Sequence, residues 1–378
     1  MRSNLAADVV VIGAGLIGLA VADELARRGL TVRLFEQGEP GKAASWAGAG
    51  MLAPYTEEIA DERFLALCTH SLERYPAFVA DLIERTGVDP HLRTDGIVDV
   101  ALDEPGLARL QRRVAQLRAR GVAAELLDAR GARQVEAALG PAVCGAGVVA
   151  SEGQVDNRRL ARALRAACAR AGVRIETGAG PVSVDADERR VRGVHAVAGY
   201  VAAATVVNAT GAWSGHLAGV PDCARVPVLP IKGQMLALAL PRNLLRHVTW
   251  VPGAYLVPRV DGRLLVGATV EVAGFDVRVT AGGLRSLLDA SLAALPALRD
   301  LAVSETWAGL RPGTPDGLPY LGATPVAGYV VATGHYRNGI LLTPATATFI
   351  ADVIEGKPPS DAPAFAIDRS AQPTVAPV

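Results

Sequence analysis

The run Gly13-Ala14-Gly15-Leu16-Ile17-Gly18 has the spacing G-x-G-x-x-G, and an acid, Glu36, follows 21 residues after Gly15. Each glycine has a physical role. The first permits a tight turn, the second lets the backbone approach a pyrophosphate, and the third allows close helix packing. The helix that opens there offers its positive end to the phosphates. Glu36 is placed to accept hydrogen bonds from ribose hydroxyls and to repel a 2′-phosphate, which disfavours NADP. Residues 43–52, Ala-Ala-Ser-Trp-Ala-Gly-Ala-Gly-Met-Leu, form a small-residue segment whose backbone a flat ligand can approach closely. The run Gly334-His-Tyr-Arg-Asn-Gly-Ile-Leu341 supplies a second strand-to-helix turn. NAD and FAD share the glycine signature. Two separate helix ends, one for phosphate and one for an isoalloxazine ring that gains negative charge on reduction, favour FAD.

The elements that must position these residues follow from hydrophobic periodicity. Residues 8–12 read as a β-branched strand, 19–28 as a helix stopped by Gly29, and 31–35 as a second strand. That β-α-β unit begins an open parallel sheet, because parallel neighbours need a crossover. Asp156 reads as the N-cap of a helix with Leu160, Leu164, Ala167 and Ala171 on its apolar face, followed by a strand at 173–176. Val206-Val207-Asn208 lead into the turn Ala209-Thr210-Gly211. Between about 220 and 300 the texture changes to longer alternating strands, at 235–240, 254–258 and 263–269, as in a mixed or antiparallel sheet. The first style then returns, with a strand at 329–333, a turn at 334–338 and a helix at 339–355. The expected fold is α/β, α+β overall: a Rossmann-like FAD-binding domain with an inserted substrate-binding domain. The expected division assigns 1–88, 142–218 and 306–368 to the FAD-binding domain, 89–141 and 219–305 to the substrate-binding domain, and 369–378 to a tail. After Gly356 a proline-rich stretch is expected to loop over the surface or fray.

Composition bounds the function. At 378 residues, half of them hydrophobic, the chain can bury a large core, and two domains are expected. Lys plus Arg equals Asp plus Glu at 38 each, so no global field gathers nucleic acid or an anionic membrane. Cys68, Cys144, Cys168 and Cys223 form no C-x-x-C pair, which argues against a zinc site or a disulfide framework and fits a reducing cytoplasm. No metal site is expected. The apolar stretch from Val9 to Ala22 is broken by three glycines and followed by Asp23 and Glu24, and reads as buried strand and helix, not as an export signal. No run approaches the roughly 18 apolar residues of a membrane span.

Five segments resemble the D-amino-acid-oxidase superfamily of FAD-dependent amine and amino-acid oxidases, and within it most closely the glycine oxidases of thiamine biosynthesis. They are Ala49-Gly-Met-Leu52, Pro230-Ile-Lys-Gly-Gln234, Tyr255-Leu-Val-Pro-Arg259, Trp307-Ala-Gly-Leu-Arg-Pro-Gly-Thr314 and Gly334-His-Tyr-Arg-Asn-Gly-Ile-Leu-Leu342. The resemblance runs from Val9 to about Arg369. It implies that Arg311 pairs with a substrate carboxylate, that Tyr255 hydrogen-bonds it, and that Arg337 sits at the site near the flavin. It also implies a cofactor cradle built from Gly13, Ala14, Gly15, Ile17, Gly18, Glu36, Gln37, Ala44, Ser45, Ala49, Gly50 and Met51. Val182, Ala209, Gly211, His335, Arg337, Asn338, Gly339, Ile340 and Leu341 complete that cradle. Guanidinium suits the first role, because its planar fork binds a carboxylate bidentately. Hydride removal from the α-carbon of a neutral amine needs alignment more than a protein base. Taken alone, Arg311 reads as a surface charge, Tyr255 as a core aromatic, His335 as a turn residue without a catalytic role, and Lys232 as a strand-edge charge.

Two departures from the family pattern stand out. Gly253 replaces a histidine that glycine oxidases can carry two places before the tyrosine, which bears on substrate range. No cysteine lies near the Arg311 segment, so FAD is expected to be held non-covalently, unlike in sarcosine-oxidase relatives. The implied reaction is oxidation of glycine, sarcosine or a small D-amino acid to the imine, with O2 reduced to hydrogen peroxide and dehydroglycine feeding thiazole synthesis. Relatives are often homo-oligomers. Three alternatives share the fold: a D-amino-acid dehydrogenase with an acceptor other than O2, an FAD-dependent tRNA-modifying module, and a dinucleotide-sensing scaffold without turnover. Neutral charge and the lack of a fused methyltransferase region argue against the second.

Overall fold

A computed structural model describes residues 6–241 and 244–369. The β-branched strand β1 (Ala6–Ile12) lies at the centre of an eight-stranded sheet, parallel to β2 (Val32–Phe35) on one side and to Gly199–Asn208 on the other. Helix α1 (Leu16–Arg27) makes the crossover between β1 and β2. Arg174–Glu176 extends the sheet beyond β2, and Tyr329–Thr333 with Tyr320–Ala323 extend it beyond Gly199–Asn208. Period-two alternation sends Val9 and Val11 into one core, against α1, Asn157–Arg170 and Thr343–Ile354. Val10 and Ile12 enter a second core on the opposite face, with Val194, Val201 and Val331.

The second eight-stranded sheet runs in the order Val303–Gly313, Leu229–Ala239, Arg263–Gly267, Ala254–Pro258, Val248–Val251, Ile97–Ala101, Gly145–Val149, Ala124–Asp128. Its pairs are antiparallel except Val248–Val251 with Ile97–Ala101, so the sheet is mixed. The sheets cut the chain differently from boundaries at 142 and 306. Gly145–Val149 is hydrogen-bonded to Ile97–Ala101, and Val303–Gly313 to Leu229–Ala239, which places both strands in the second sheet.

Three local expectations need correction. The last long helix is Thr343–Ile354, not 339–355. Pro344 has no N–H to give to the carbonyl of Ile340, so it is accommodated only in a first turn and sets the helix start there. The stretch after Gly356 does not merely skirt the surface. A short 3-10 turn at Ala362–Phe365 buries Phe365 edge-on against Phe64 and Phe349, and Arg369 Nε pairs with Asp316 at 2.7 Å. Of the expected tail, 370–378 lies outside the described residues. Lys232 is no strand-edge charge: its strand lies inside the second sheet, the side chain is buried, and Nζ is 3.4 Å from a carboxylate oxygen of Glu271. Among the described residues no helix is long and apolar enough to cross a membrane, and no cluster of three or more His, Cys, Asp or Glu could hold a metal.

Candidate active site and cofactor cradle

The glycine turn closes on steric grounds. Gly13 has φ +101°, and a Cβ there would lie 2.5 Å from the carbonyl oxygen of Ala209, just past the end of the neighbouring strand. A Cβ on Gly18 would lie 1.9 Å from the Gly13 carbonyl oxygen, so α1 packs on the turn only with glycine at that place. Gly15 stands at the N-cap of α1 and faces the cleft, and the Leu16 N–H donates to Ser45 Oγ at 2.9 Å. At the end of β2 both carboxylate oxygens of Glu36 accept backbone bonds, Oε2 from Ala14 N–H at 2.8 Å and Oε1 from Gly38 N–H at 2.9 Å. Those bonds fix the orientation of the acid and leave lone pairs for a ligand in the cleft.

The small-residue segment is pinned, not loose. It forms the short helix Ala44–Ala47, and Trp307 Nε1 donates to the Ala47 carbonyl at 3.0 Å. A Cβ on Gly309 would come within 2.4 Å of the Ala47 Cβ, so this segment and the strand Val303–Gly313 nearly touch. Arg259, fully buried, donates to the carbonyls of Ala49 (2.9 Å) and Val155 (2.8 Å) and to the side chains of Gln154 (3.0 Å) and Asn157 (2.8 Å). Burial without a carboxylate in contact pulls its pKa down to about 10.

One continuous cleft runs from the glycine turn to the second sheet, and most of the expected residues line it. Gly13, Gly15, Ile17, Glu36, Gln37, Ala44, Ser45, Ala49, Gly50 and Met51 form one stretch of wall; Val182, Ala209, Gly211, His335, Arg337, Asn338, Gly339 and Ile340 form another. Ala14, Gly18 and Leu341 do not reach it. Ala14 acts through its N–H on Glu36, Gly18 through helix packing, and Leu341 is buried in the core with its carbonyl accepting from Ser71 Oγ. With the helix starting at Thr343, residues 335–340 meet the cleft as a turn where a helix end was expected. His335 is buried against Thr346, its Nε2 3.0 Å from Thr346 Oγ1, and burial pulls its pKa down to about 3.

Arg311 and Tyr255 meet at the second-sheet end of the cleft. The Arg311 guanidinium lies flat over Gly233, where a Cβ would be 2.3 to 2.6 Å from Nη1, Nη2 and Cζ. Nη1 donates to the Thr269 carbonyl at 3.1 Å and, more weakly, to that of Lys232 at 3.4 Å. No carboxylate of the described residues pairs with it. The ring of Tyr255 lies over Gly267, where a Cβ would be 2.8 Å from ring carbon and hydroxyl. Burial raises the pKa of Tyr255, against the pull of Arg311 and Arg337, so the phenol stays protonated. Arg337 is half-buried, with Nε 3.0 Å from Glu57 Oε2 and its guanidinium 5.8 Å from the Trp250 ring. Burial is the largest influence and opposes its charge, but Glu57, Tyr255 and Tyr336 together outweigh it and raise the pKa. Burial likewise pushes the Glu57 carboxyl up, against the pull of Arg337, Arg311 and Arg113. A guanidinium in direct contact favours the ionised form, so the two side chains stand as an ion pair.

Sequence reading missed Glu57, Arg259 and Met235. Arg259 sat inside a matched motif without a role; Glu57 had no local signal, because its partner lies 280 residues away.

A β-α-β unit with a sterically required glycine turn, an oriented acid and a small-residue wall defines a dinucleotide-binding oxidoreductase site. These residues fit FAD: Gly15 would take the phosphates, Glu36 a ribose, and the slot lined by residues of the 44–51 segment and by Ala209–Gly211 a flat ring system. None of the four cysteines lines the slot. The chain belongs to the FAD dependent oxidoreductase family, whose pattern its residues 8–353 match. It is 39% identical over 355 residues to the bifunctional protein ThiO/ThiG of Synechocystis, covering 92% of this chain and 51% of that protein. It is 37% identical over 358 residues to the glycine oxidase of Pseudomonas aeruginosa, covering 94% and 97%. The crystal structure of glycine oxidase from Geobacillus kaustophilus superposes with a TM-score of 0.91 at 36% identity, covering 97% of this chain and 99% of that one. The chain thus spans about half the length of the bifunctional relatives and nearly all of the single-function ones.

Proposed function

We propose that this chain oxidises glycine, sarcosine or a small D-amino acid to the imine, with O2 as the final electron acceptor. The observation that carries the reading is Arg311: a guanidinium opening on the cleft, unpaired with any carboxylate of the described residues, beside the protonated Tyr255. FAD, when bound, supplies the two-electron acceptor for the hydride of the α-carbon and passes the electrons to O2, giving hydrogen peroxide.

The protein's part is orientation. Arg311 binds the substrate carboxylate through its planar fork, and the Tyr255 hydroxyl donates a further hydrogen bond to it. Two anchors on one carboxylate fix the direction of the neighbouring carbon, which is the alignment hydride transfer needs. The apolar side chains of Met51 and Met235 line the same end of the cleft and limit water there. Gln37, Val182 and the other cradle residues named above hold the cofactor in this reading, with Arg337 close to the reacting end.

Similarity to glycine oxidases and to ThiO/ThiG supports glycine as substrate and delivery of the product to thiazole synthesis. Free cysteines support a cytoplasmic setting. Division into a FAD-binding and a substrate-binding part, and assembly into a homo-oligomer, belong to the same proposal. Anaerobic addition of glycine to the yellow protein should bleach the flavin spectrum, and air should restore it with release of peroxide. Persistence of the oxidised spectrum with glycine, sarcosine, D-alanine and D-proline would remove the reading.

A further inference from the structure

We infer that Glu57 sets the charge preference of the substrate pocket: by pairing with Arg337 it leaves Arg311 as the uncompensated guanidinium of the cleft, so the pocket accepts one carboxylate and rejects a second anionic group. This rests on the amino-acid reading above and deepens it.

Among the described residues, two guanidiniums line the cleft, those of Arg311 and Arg337. Arg337 Nε is 3.0 Å from Glu57 Oε2, and the Glu57 side chain is only 8% exposed. Arg311 has peptide carbonyls as its protein partners, and these orient it without cancelling its charge. The two cations and one anion leave a single positive charge, which a monocarboxylate balances. A dicarboxylate would bring an uncompensated negative charge into a site of low polarity beside the Glu57 anion, a costly arrangement.

The acid is held in place by its neighbours. Its N–H donates to the Ala53 carbonyl at 3.0 Å. Just before it, Tyr55 N–H and Thr56 N–H donate to the fully buried Glu152 at 2.6 and 2.8 Å, and Thr56 Oγ1 bonds the same carboxylate. Just after it, Glu58 takes φ +51° and pairs with Arg109 at 2.7 Å, while Asp99 holds Arg109 and Arg113. The segment is thus fastened on both sides of Glu57, which fixes its backbone beside Arg337.

The test uses purified FAD-loaded protein and two ligands without an oxidisable amine, acetate and diglycolate, with Kd read from the shift of the flavin absorbance. Wild-type protein should bind acetate more tightly than diglycolate. Glu57→Gln frees the Arg337 charge and should move the ratio of the two Kd values at least tenfold toward diglycolate. Arg337→Gln leaves Glu57 unbalanced and should move it the opposite way; that variant carries the test alone if Glu57→Gln yields no folded protein. A ratio within twofold of wild type in the variants, shifts of the same sign in both, or equal binding of the two ligands by wild-type protein would overturn the inference. Bleaching by glycine is scored separately: its loss in wild-type protein sinks the amino-acid reading, whereas its presence with an unmoved ratio sinks only the role of Glu57.

Discussion

Arg311 and Thr269 are joined by a hydrogen bond of 3.1 Å from Nη1 to a peptide carbonyl, which aims the guanidinium into the cleft while leaving its charge intact. Arg311→Lys is expected to lower kcat/KM for glycine by roughly 30- to 1000-fold, about 2–4 kcal/mol, because an ammonium cannot reproduce the planar fork. The thermal midpoint should change little. Steady-state kinetics with a melting curve on the same sample checks both, and near-wild-type kcat/KM would remove Arg311 from the substrate.

Glu36 carries the ribose end of the proposed cradle. Glu36→Ala deletes the acceptor for Ala14 N–H and Gly38 N–H as well as for a ligand, so FAD should bind about 10- to 100-fold more weakly. Reconstitution of apoprotein followed by flavin fluorescence gives the affinity. Unaltered binding would place the ribose elsewhere.

Two glycines give opposite expectations for one substitution. Gly18→Ala puts a methyl group 1.9 Å from the Gly13 carbonyl oxygen and should cost about 3 kcal/mol or more, with loss of bound FAD. Gly282→Ala, early in the helix Ala281–Ala294 with open space around it, should be neutral or add up to about 1 kcal/mol. Thermal melts of the two variants separate steric demand from mere glycine content.

Arg259 ties the 49–51 segment to the second sheet and to Asn157. Arg259→Met keeps much of the volume but strips four buried acceptors of their donor, and should cost about 3–5 kcal/mol together with FAD retention. Denaturant melts with and without added FAD measure it; a stable variant that keeps its flavin would contradict the assignment.

His335 should make stability pH-dependent. Buried, it stays neutral down to about pH 3, whereas the unfolded chain takes up that proton near 6.5. Unfolding therefore binds a proton between those values, and stability falls as pH drops through the window, by on the order of 5 kcal/mol across it. His335→Gln should flatten this part of the profile in a comparison of denaturant midpoints at pH 7, 5 and 4. Parallel profiles for the two proteins would show that the imidazole is not buried neutral.

Local interactions explain what was readable in advance. The β-α-β start, the Asp156 cap, whose side chain accepts from Arg159 N–H at 3.0 Å, and the strands at 254–258 and 329–333 depend on neighbours within a few residues, and sequence patterning reports those directly. The same holds for Gly13, whose φ of +101° is a demand written in its own type. The helix start at Thr343 is also legible in Pro344, whose missing N–H outranks the apolar periodicity around it.

By itself, then, the sequence determined the dinucleotide turn, the two strand styles and, by resemblance, the residues of the cleft. Tertiary structure alone decided which charges are spent on each other. Arg337 is neutralised by an acid 280 positions away, Lys232 by Glu271, and Arg311 by no carboxylate of the described residues. Coulomb attraction depends on distance through space and on the dielectric around the pair, and neither is encoded in the spacing of residues along the chain.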